Sequence, residues 1–182
     1  MDEAFADQRA RLTREQFAAV REWQRTDRFY EQVQGLVRGT LAVDATSASY
    51  AALRHRAELL DDAIDSPRTT RPLTVYRGVR SLRWTFGEAD PAAVRGPQRT
   101  FEGYTAASVL RSVAVDEFVG PAGALLELEV PPGIPALWVA GLGDPRLRRQ
   151  GEVLFPVELP VQITGVRHDD DLVVLSVQVV NP

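Results

Sequence analysis

The sequence contains no cysteine, which excludes disulfide bonds and zinc sites built from thiolates. It contains no lysine either, because all 21 basic residues are arginine. Codon bias in a GC-rich genome is the simpler explanation, since alanine, glycine, proline and valine are also abundant. The alternative explanation is selection against an ammonium group that other enzymes modify. Neither absence identifies a redox compartment or a function.

The chain also lacks long apolar runs and an excess of positive charge. No run approaches the ~20 apolar residues that are needed to span a bilayer. The N-terminal stretch MDEAFADQRARLTREQF is acidic and polar, whereas a signal peptide has a basic start and an apolar segment. We therefore expect no membrane segment and no export signal. The net charge of −4 argues against a nucleic-acid-binding protein but is compatible with a local basic rim.

The apolar material that is present suffices for one core. The chain has 182 residues, of which 45% are hydrophobic and 25% are charged, a size and composition typical of one globular domain. It shows no internal repeat, low-complexity tract or linker that would separate two domains. We therefore predict a single domain over residues 1–182, with a helical section at 12–66 and a β-rich section at 72–182.

Residues 12–66 carry the periodicity and capping signals of three helices. Thr13 begins TREQ, a capping box that predicts a helix start, and apolar residues follow it at helical spacing. A second helix is predicted to begin near Asp27. A third follows the cap candidates Thr46 and Ser47 and has the clearest apolar stripe, formed by Leu53, Ala57, Leu60 and Ile64.

From residue 72 onward the pattern changes to short runs rich in β-formers and separated by glycine and proline. About seven strand candidates are present, namely LTVYRGV, QRTFEGY, GALLELEV, ALWVA, EVLFPVEL, VQITGVR and LVVLSVQVV. SVLRSVAVDEF is the one good helix candidate among them, and RSLRWTFGEADPAAVRGP is predicted to be an exposed, mobile loop. Helices first and strands afterwards predict an α+β fold, in which the N-terminal helices pack against a β-rich body.

Several familiar signatures are absent or incomplete. GLGDPR begins like a dinucleotide-binding fingerprint, but Arg146 occupies the position of the third glycine, so a simple turn is the better interpretation. His55 lies on the polar side of the third predicted helix, and His168 opens the charged turn HDDD; neither favours a metal site. No serine–histidine–aspartate arrangement is apparent.

The stretch RRQGEVLFP places an amide and a carboxylate two positions apart at the start of an apolar run. If this run is a strand throughout, Gln150 and Glu152 point to the same face. Three arginines precede the pair in PRLRRQ, at Arg146, Arg148 and Arg149. Taken alone, each of these residues is most simply a solvated surface group, and the pair becomes informative only together with two other segments.

Those two segments are LTVYRGV and YTAASVLRSVAVDEF. Together with RRQGEVLFP they resemble, in order and spacing, the mono-ADP-ribosyltransferases, a family of bacterial toxins and eukaryotic ecto-enzymes. LTVYRGV is similar to the strand that carries the family's arginine, with Arg77 and Gly78 in the matching positions. YTAASVLRSVAVDEF is similar to its aromatic-x-Ser-Thr-Ser segment and the following helix, with Tyr104 and Ser108 retained.

The third segment is similar to the family's terminal Gln-x-Glu pair, with Gln150 and Glu152 in those positions. The resemblance extends over most of residues 12–180. It implies a split β-sandwich of about seven strands with the N-terminal helices packed on it.

The resemblance implies that the chain cleaves the bond between nicotinamide and ribose in NAD and transfers ADP-ribose to an acceptor, without a metal. The transition state is oxocarbenium-like and requires a fixed carboxylate beside the sugar, a role that the resemblance gives to Glu152. Arg77 would clamp the diphosphate or the nearby ribose with its forked donors. Gly78 would expose its backbone to the nicotinamide amide, Tyr104 would line that pocket, and Ser108 would complete the NAD-binding set.

Gln150 is the residue that the resemblance connects with the acceptor. In relatives a glutamine here goes with asparagine of Rho-type GTPases or with guanine, whereas a glutamate goes with arginine. The neighbouring arginines suit phosphates or an acidic protein surface. We expect a macromolecular acceptor, a protein slightly ahead of a nucleobase. We also expect a toxin or effector that is secreted or delivered into a target-cell cytosol, with an immunity protein as a further partner.

The chain departs from the family pattern at Ala106 and Ala107, which replace the first two residues of Ser-Thr-Ser. In relatives the first serine hydrogen-bonds the catalytic glutamate, and alanine cannot, so Glu152 needs another orienting partner or is held less well. Leu147 stands where the family often has an aromatic residue. Two alternatives therefore stay open: an NAD glycohydrolase that uses water as acceptor at the same site, and a degenerate transferase fold that only binds.

Overall fold

The structure is a computed structural model of the chain, and it describes residue 5 and residues 8–25, 29–42, 44–65, 67–96 and 98–181. Within these ranges helices come first and strands follow, so the predicted α+β class is confirmed. The N-terminal helices are α1 (Gln8–Arg11), α2 (Arg14–Trp23), α3 (Phe29–Val37) and α4 (Ala48–Asp65). No helix in the described ranges is long and apolar enough to cross a membrane.

Local hydrogen bonds explain where two of these helices begin. The Thr13 side chain accepts from the backbone N–H of Gln16 at 3.2 Å, and the Gln16 side chain accepts from the N–H of Thr13 at 2.9 Å. This is the predicted capping box at the start of α2. Ser47 caps α4 by accepting from the N–H of Tyr50 at 3.1 Å. The predicted helix start near Asp27 lies outside the described residues.

The strands and the helices between them occupy the rest of the described chain. The strands are β1 (Leu73–Val79), β2 (Arg99–Phe101), β3 (Thr105–Ser108), β4 (Ala124–Val130), β5 (Leu137–Trp138), β6 (Glu152–Phe155), β7 (Leu159–Asp169) and β8 (Leu172–Val179). The helices are α5 (Leu82–Phe86), α6 (Arg111–Phe118) and α7 (Val139–Leu142), with 3-10 turns at Pro91–Val94 and Arg148–Gln150. The strand β3 is additional to the predicted candidates; its sequence TAAS is short and half alanine, so its strand propensity is weak.

The sheet is divided between β1 and β3. Its hydrogen-bonded order in the described chain is β2-β7-β8-β4-β1-β3-β6-β5. β1 pairs with β4 along its whole length, but with β3 it shares a single registered pair, Tyr76 opposite Ser108. We call this junction the seam. It separates a larger part, from β2 to β1, from a smaller part formed by β3, β6 and β5, as expected for a split β-sandwich.

Clusters of buried side chains hold these layers together. The largest cluster contains residues from both parts of the sheet, such as Val75 and Phe155. The helices α2, α3 and α4 pack against the smaller part, where Leu60 and Leu154 belong to one cluster. The helix α6 packs against the larger part through Ala114. Burial of these apolar surfaces fixes the two parts of the sheet relative to each other.

Three sequence predictions of local structure need correction. ALWVA forms strand β5 only at Leu137–Trp138, and α7 follows at once. EVLFPVEL is divided between β6 and β7 around Pro156, which has no backbone N–H to donate. RSLRWTFGEADPAAVRGP is not an exposed loop throughout, because it contains α5 and a 3-10 turn whose Leu82 and Val94 are buried in the largest cluster. Burial of these apolar side chains outweighs the loop-like composition around them.

Candidate active site

A cleft of about 660 Å³ lies at the seam between the two parts of the sheet. This volume is within the range of roughly 300–1,000 Å³ that is typical of small-molecule sites. The walls come from β1, β3 and β6, from the end of α2, and from α3 and α6. Five of the six sequence-predicted site residues line the cleft, namely Arg77, Gly78, Ser108, Gln150 and Glu152.

Glu152 is the first residue of β6 and lies opposite Ser108 of β3. Its carboxylate accepts two hydrogen bonds from the end of α2. Trp23 Nε1 donates to Oε1 at 2.8 Å, and Gln24 Nε2 donates to Oε2 at 2.7 Å. Burial raises the pKa of Glu152, and the two hydrogen bonds oppose that rise. The carboxylate is thus held in one orientation at the wall of the cleft.

Trp23 and Gln24 are candidate functional residues that the sequence analysis misses. Trp23 fits the apolar stripe of α2 and resembles an ordinary core residue, and Gln24 follows it without any motif. They lie 129 and 128 positions from Glu152 in the sequence, so no local spacing connects them with it. The one available signal is Ala106, because the loss of the family's serine hydroxyl indicates that Glu152 needs a partner elsewhere.

Arg77 lies on β1, and its guanidinium reaches across the seam to β3. Nη1 donates to the carbonyl oxygen of Ala106 at 2.8 Å, and the guanidinium carbon lies 6.0 Å from the centre of the Phe101 ring. Nε is buried and has no hydrogen-bond partner among the described residues. Burial, with a smaller contribution from the charge of Arg38, lowers the pKa of Arg77 to about 10, so the group is cationic at neutral pH. No carboxylate within the described ranges pairs with it.

Gly78 allows α6 to pack directly on β1. A Cβ atom at this position would lie 2.2 Å from the carbonyl oxygen of Ala114 and 2.7 Å from Cβ of Phe118. Both of these residues belong to α6, so a side chain at position 78 would push the helix away from the strand. The close approach of α6 shapes one wall of the cleft, to which Gly78, Ala114 and Phe118 all contribute.

Gln150 lies outside the strand that contains Glu152, so the prediction that alternation along one strand aligns them is wrong. Gln150 ends a 3-10 turn, and Gly151 adopts the left-handed conformation, with φ of 56°, before β6 begins. The turn is tied to β3 because Ser108 Oγ donates to the carbonyl oxygen of Gln150 at 2.6 Å. The Gln150 side chain donates from Nε2 to Glu117 of α6 at 3.1 Å. Gln150 and Glu152 nevertheless line the same cleft.

Tyr104 is the predicted site residue that does not line the cleft, which corrects its expected place in the nicotinamide pocket. Its side chain is fully buried, and its hydroxyl donates to Oδ1 of Asp61 on α4 at 2.6 Å. Its ring packs edge-on against Trp23, with the centroids 5.6 Å apart. The apolar surfaces of α2 and α4 cover this side of the smaller sheet and enclose the ring. Tyr104 therefore supports Trp23 from behind, and Trp23 forms the wall of the cleft.

Tyr104→Phe is expected to lower the free energy of unfolding by about 1–2 kcal/mol, because Asp61 keeps its partly desolvated carboxylate but loses its donor. Burial already raises the pKa of Asp61, and the Tyr104 hydrogen bond opposes that rise. Urea denaturation at neutral pH measures the change. Tyr50→Phe is the matched control, because Tyr50 lies on α4 like Asp61 and its hydroxyl makes no hydrogen bond to the described residues. Equal stability of the Tyr104 and Tyr50 variants would contradict the buried pair.

A short basic loop borders the cleft between α7 and β6, and we call residues 144–150 the acceptor loop after the role that the sequence resemblance predicts for Gln150. All three of its arginines are exposed, Arg146, Arg148 and Arg149. The loop is anchored at Asp144, whose backbone N–H donates to Oε1 of Gln24 at 2.8 Å. At its other end the loop reaches the cleft through Gln150.

The two histidines lie away from the cleft. His55 is exposed on α4, and His168 lies near the end of β7, opposite Val173 of β8. These places match the sequence interpretation of a polar helix face and a charged turn. Across the described parts of the chain, no group of three or more His, Asp or Glu side chains is arranged to hold a metal ion.

Comparison with solved structures shows that the fold is that of the bacterial ADP-ribosyltransferase toxins. Plx2a, an ADP-ribosyltransferase toxin from Paenibacillus larvae, has a TM-score of 0.78 at 18% identity, over 99% of this chain and 92% of that chain. Vis toxin from Vibrio splendidus has a TM-score of 0.70 at 19% identity, over 99% and 79%. An ADP-ribosyltransferase from Clostridium botulinum has a TM-score of 0.74 at 13% identity, over 98% and 93%.

Sequence comparison identifies the family. The family model described as ADP-ribosyltransferase exoenzyme matches residues 2–178, so the chain belongs to this family of NAD-dependent transferases. A search of curated proteins gives no match. The resemblance stated from Arg77, Ser108 and the Gln150–Glu152 pair is thereby confirmed at the level of the family.

Proposed function

We propose that this chain cleaves the bond between nicotinamide and ribose in NAD and transfers ADP-ribose to a macromolecule. The observation that carries the proposal is that Glu152 and Arg77, from different parts of the split sheet, line one cleft. One supplies a partly buried anion, and the other supplies a cation that pairs with no carboxylate of the described residues. A cationic sugar and a diphosphate need this pair of charges. The similar toxin BECa of C. perfringens is known in complex with NADH, which supports a dinucleotide as the ligand.

Glu152 stabilises the positive charge that develops on the ribose as nicotinamide leaves. The oxocarbenium-like transition state resembles that of glycoside hydrolysis, and a fixed carboxylate beside it lowers its energy. Trp23 and Gln24 each occupy one lone pair of a carboxylate oxygen, so lone pairs remain for a ribose hydroxyl. Because the pKa of Glu152 is raised, cleavage requires a pH at which this buried carboxylate is still ionised.

Arg77 binds the diphosphate, or the ribose next to it. Its Nη1 is fixed by the carbonyl oxygen of Ala106, which holds the guanidinium at the wall of the cleft, where its remaining N–H donors suit a ligand oxygen. Arg38 adds a second positive charge nearby, and the two cations repel each other until an anion binds. Gly78 and Ser108 line the same cleft and are proposed to contact the nicotinamide riboside part of NAD.

Gln150 is proposed to hold the acceptor. It joins the exposed acceptor loop to the cleft, so a group bound beside it lies near the reacting sugar. Its amide offers both a donor and an acceptor without charge, which suits an asparagine side chain or a guanine base. The net charge of −4 makes a protein the first candidate and a nucleobase the second.

Labelled substrate separates these outcomes. We would incubate the protein with biotinylated NAD and a cell lysate, and separately with pools of DNA and RNA. Label on a protein supports the first acceptor class, and label on nucleic acid supports the second. Free ADP-ribose without macromolecular label would identify an NAD glycohydrolase. If NAD is neither consumed nor bound in calorimetry, the chain is a degenerate binding domain. The Glu152→Gln variant controls for transferases that the lysate itself contains.

Gln150→Ala is expected to spare NAD hydrolysis and to lower transfer to the acceptor about tenfold, the effect of losing one or two hydrogen bonds to the acceptor. The ratio of transferred to hydrolysed ADP-ribose measures this effect, since both products come from the same cleavage step. Gln178→Ala is the matched control, because Gln178 is exposed on β8 and does not line the cleft. An equal loss of both activities would show that Gln150 does not select the acceptor.

The proposed biological role is that of a toxin or effector, since the structural neighbours are toxins. Such a protein acts in the cytosol of a target cell after secretion or delivery. An immunity protein that blocks the cleft or the acceptor loop is a proposed further partner. Toxicity on expression in a test cytosol, abolished by Glu152→Gln, would support this role.

A further inference from the structure

The catalytic carboxylate of this chain lacks the hydroxyl partner that the family's serine would provide. Ala106 stands at that position and lines the cleft with a methyl group. Both oxygens of Glu152 are instead bound by donors from the end of α2. An unpartnered carboxylate at this depth would be free to rotate and would be costly to keep ionised. The donors on α2 therefore compensate for a specific loss on β3.

We propose that Trp23 and Gln24 are positioning residues for Glu152 and that Gln24 couples the acceptor loop to it. This inference rests on the proposed function, because it assigns these residues to the same cleavage and transfer reaction. Trp23 fixes one oxygen of the carboxylate. Gln24 fixes the other oxygen and, through its own carbonyl oxygen, the backbone at the start of the acceptor loop.

The position of Trp23 is itself strongly constrained. The residue is buried, with a relative exposure of 5%. The ring packs edge-on against Tyr104 at 5.6 Å and against Tyr30 at 6.2 Å between centroids. Tyr104 is held in turn by the hydrogen bond from its hydroxyl to Asp61. These contacts hold the indole ring so that its N–H points toward Oε1 of Glu152.

The orientation of the Gln24 amide is set by its two partners. Oε1 accepts from the N–H of Asp144 at 2.8 Å, and Nε2 donates to Oε2 of Glu152 at 2.7 Å. A rotation that exchanged the two ends would place a donor against a donor and an acceptor against a carboxylate. A Cβ atom at position 143 would lie 1.9 Å from Gln24 Oε1, so Gly143 leaves the room that this bridge occupies. The bridge is therefore specific for glutamine.

The charges around Glu152 determine how its titration responds. Arg77 on β1, Arg25 after α2 and Glu31 on α3 line the same cleft, and Glu117 on α6 contacts Gln150. None of these groups is altered when a donor on α2 is removed. Hydrogen bonds from Trp23 and Gln24 stabilise the ionised form of Glu152, so removing either donor raises its pKa further. When the pH is lowered, each variant therefore loses NAD-cleaving activity at a higher pH than the wild type does.

Two variants separate the positioning effect from the coupling effect. Trp23→Phe removes the indole donor to Glu152 and keeps an aromatic ring beside Tyr104, whereas Gln24→Met keeps the side-chain length but removes both ends of the bridge. Gln162→Met is the matched control, because Gln162 is exposed on β7 and does not line the cleft. For each protein we would titrate the Glu152 carboxyl by carbon-13 NMR, assigned with the Glu152→Gln variant. We would also measure NAD affinity, nicotinamide release against pH, and the ratio of transferred to hydrolysed ADP-ribose.

Both α2 variants are expected to raise the pKa of Glu152 and to lower kcat for NAD cleavage about tenfold, with NAD affinity changed less than about threefold. Gln24→Met alone is expected to lower the ratio of transfer to hydrolysis, because only it releases the acceptor loop. Gln162→Met should match the wild type in every measurement.

An unchanged Glu152 titration in both α2 variants would overturn the positioning role. An equal transfer ratio in the two variants would overturn the coupling through Gln24. The proposed function fails in a different way, namely if the wild-type protein does not cleave NAD at all. In that case the NMR titration still decides whether Trp23 and Gln24 hold the Glu152 carboxylate.

Discussion

Glu152→Gln is expected to lower the rate of NAD cleavage by roughly two to three orders of magnitude, the usual size for the loss of an electrostatic stabiliser. A neutral amide cannot offset the charge of the oxocarbenium-like sugar. In addition, Trp23 and Gln24 both present donors to this side chain, so the new amide group must direct its own N–H groups against one of them. Release of nicotinamide under saturating NAD measures the effect.

The control for this substitution is Glu129→Gln, which removes the same charge at an exposed position on β4 outside the cleft.

The wild type should lose activity as the pH falls through the raised pKa of Glu152, because only the ionised carboxylate stabilises the cation. The residual activity of Glu152→Gln should lack this acidic limb. Near-normal NAD consumption by the variant would remove Glu152 from the mechanism.

Arg77→Lys is expected to raise the KM for NAD about ten- to hundredfold, with a smaller effect on kcat, because lysine keeps the charge but loses the planar fork. The guanidinium carries several N–H donors in one plane, so Nη1 can hold Ala106 while other N–H groups face a ligand, and an ammonium group lacks this arrangement. Initial rates over a range of NAD concentrations, together with calorimetric affinity, measure the change.

The matched control for that variant is Arg167→Lys. Arg167 lies on β7 and pairs with Glu127 at 2.9 Å, a contact that a lysine is able to keep. Its KM should equal that of the wild type. If Arg77→Lys binds NAD as tightly as the wild type, the guanidinium does not recognise the diphosphate.

The parts of the site that the sequence predicted are those that follow from short motifs. Arg77, Ser108 and Glu152 each occupy a strand, and the pairing of β3 with β6 brings Ser108 opposite Glu152. The helices were likewise predictable from capping and apolar periodicity, as Thr13 and Ser47 show. The order of these segments indicates the family because the strands they form, β1, β3 and β6, lie side by side in the sheet and line the cleft.

The parts that the sequence did not predict depend on long-range contacts or on a single backbone conformation. Trp23 contacts Glu152 across 129 positions, and an amphipathic pattern cannot distinguish a tryptophan that donates to a carboxylate from one that only fills the core. The motif around Tyr104 does not reveal that α4 supplies Asp61 as the partner of its hydroxyl, so the sequence alone predicts a place in the pocket. The alternating pattern predicts one strand through Gln150 and Glu152, because it carries no sign that Gly151 adopts a left-handed conformation and turns the chain between them.

The central claim is that Glu152 and Arg77 hold one NAD molecule between them at the seam of the split sheet. A crystal structure of the Glu152→Gln variant with NAD tests this most directly, since slow cleavage preserves the substrate. We predict that the nicotinamide ribose lies against residue 152 and that the diphosphate, or the ribose next to it, lies against the guanidinium of Arg77. NAD bound outside this cleft, or within it with both of these groups remote from Arg77, would contradict the claim.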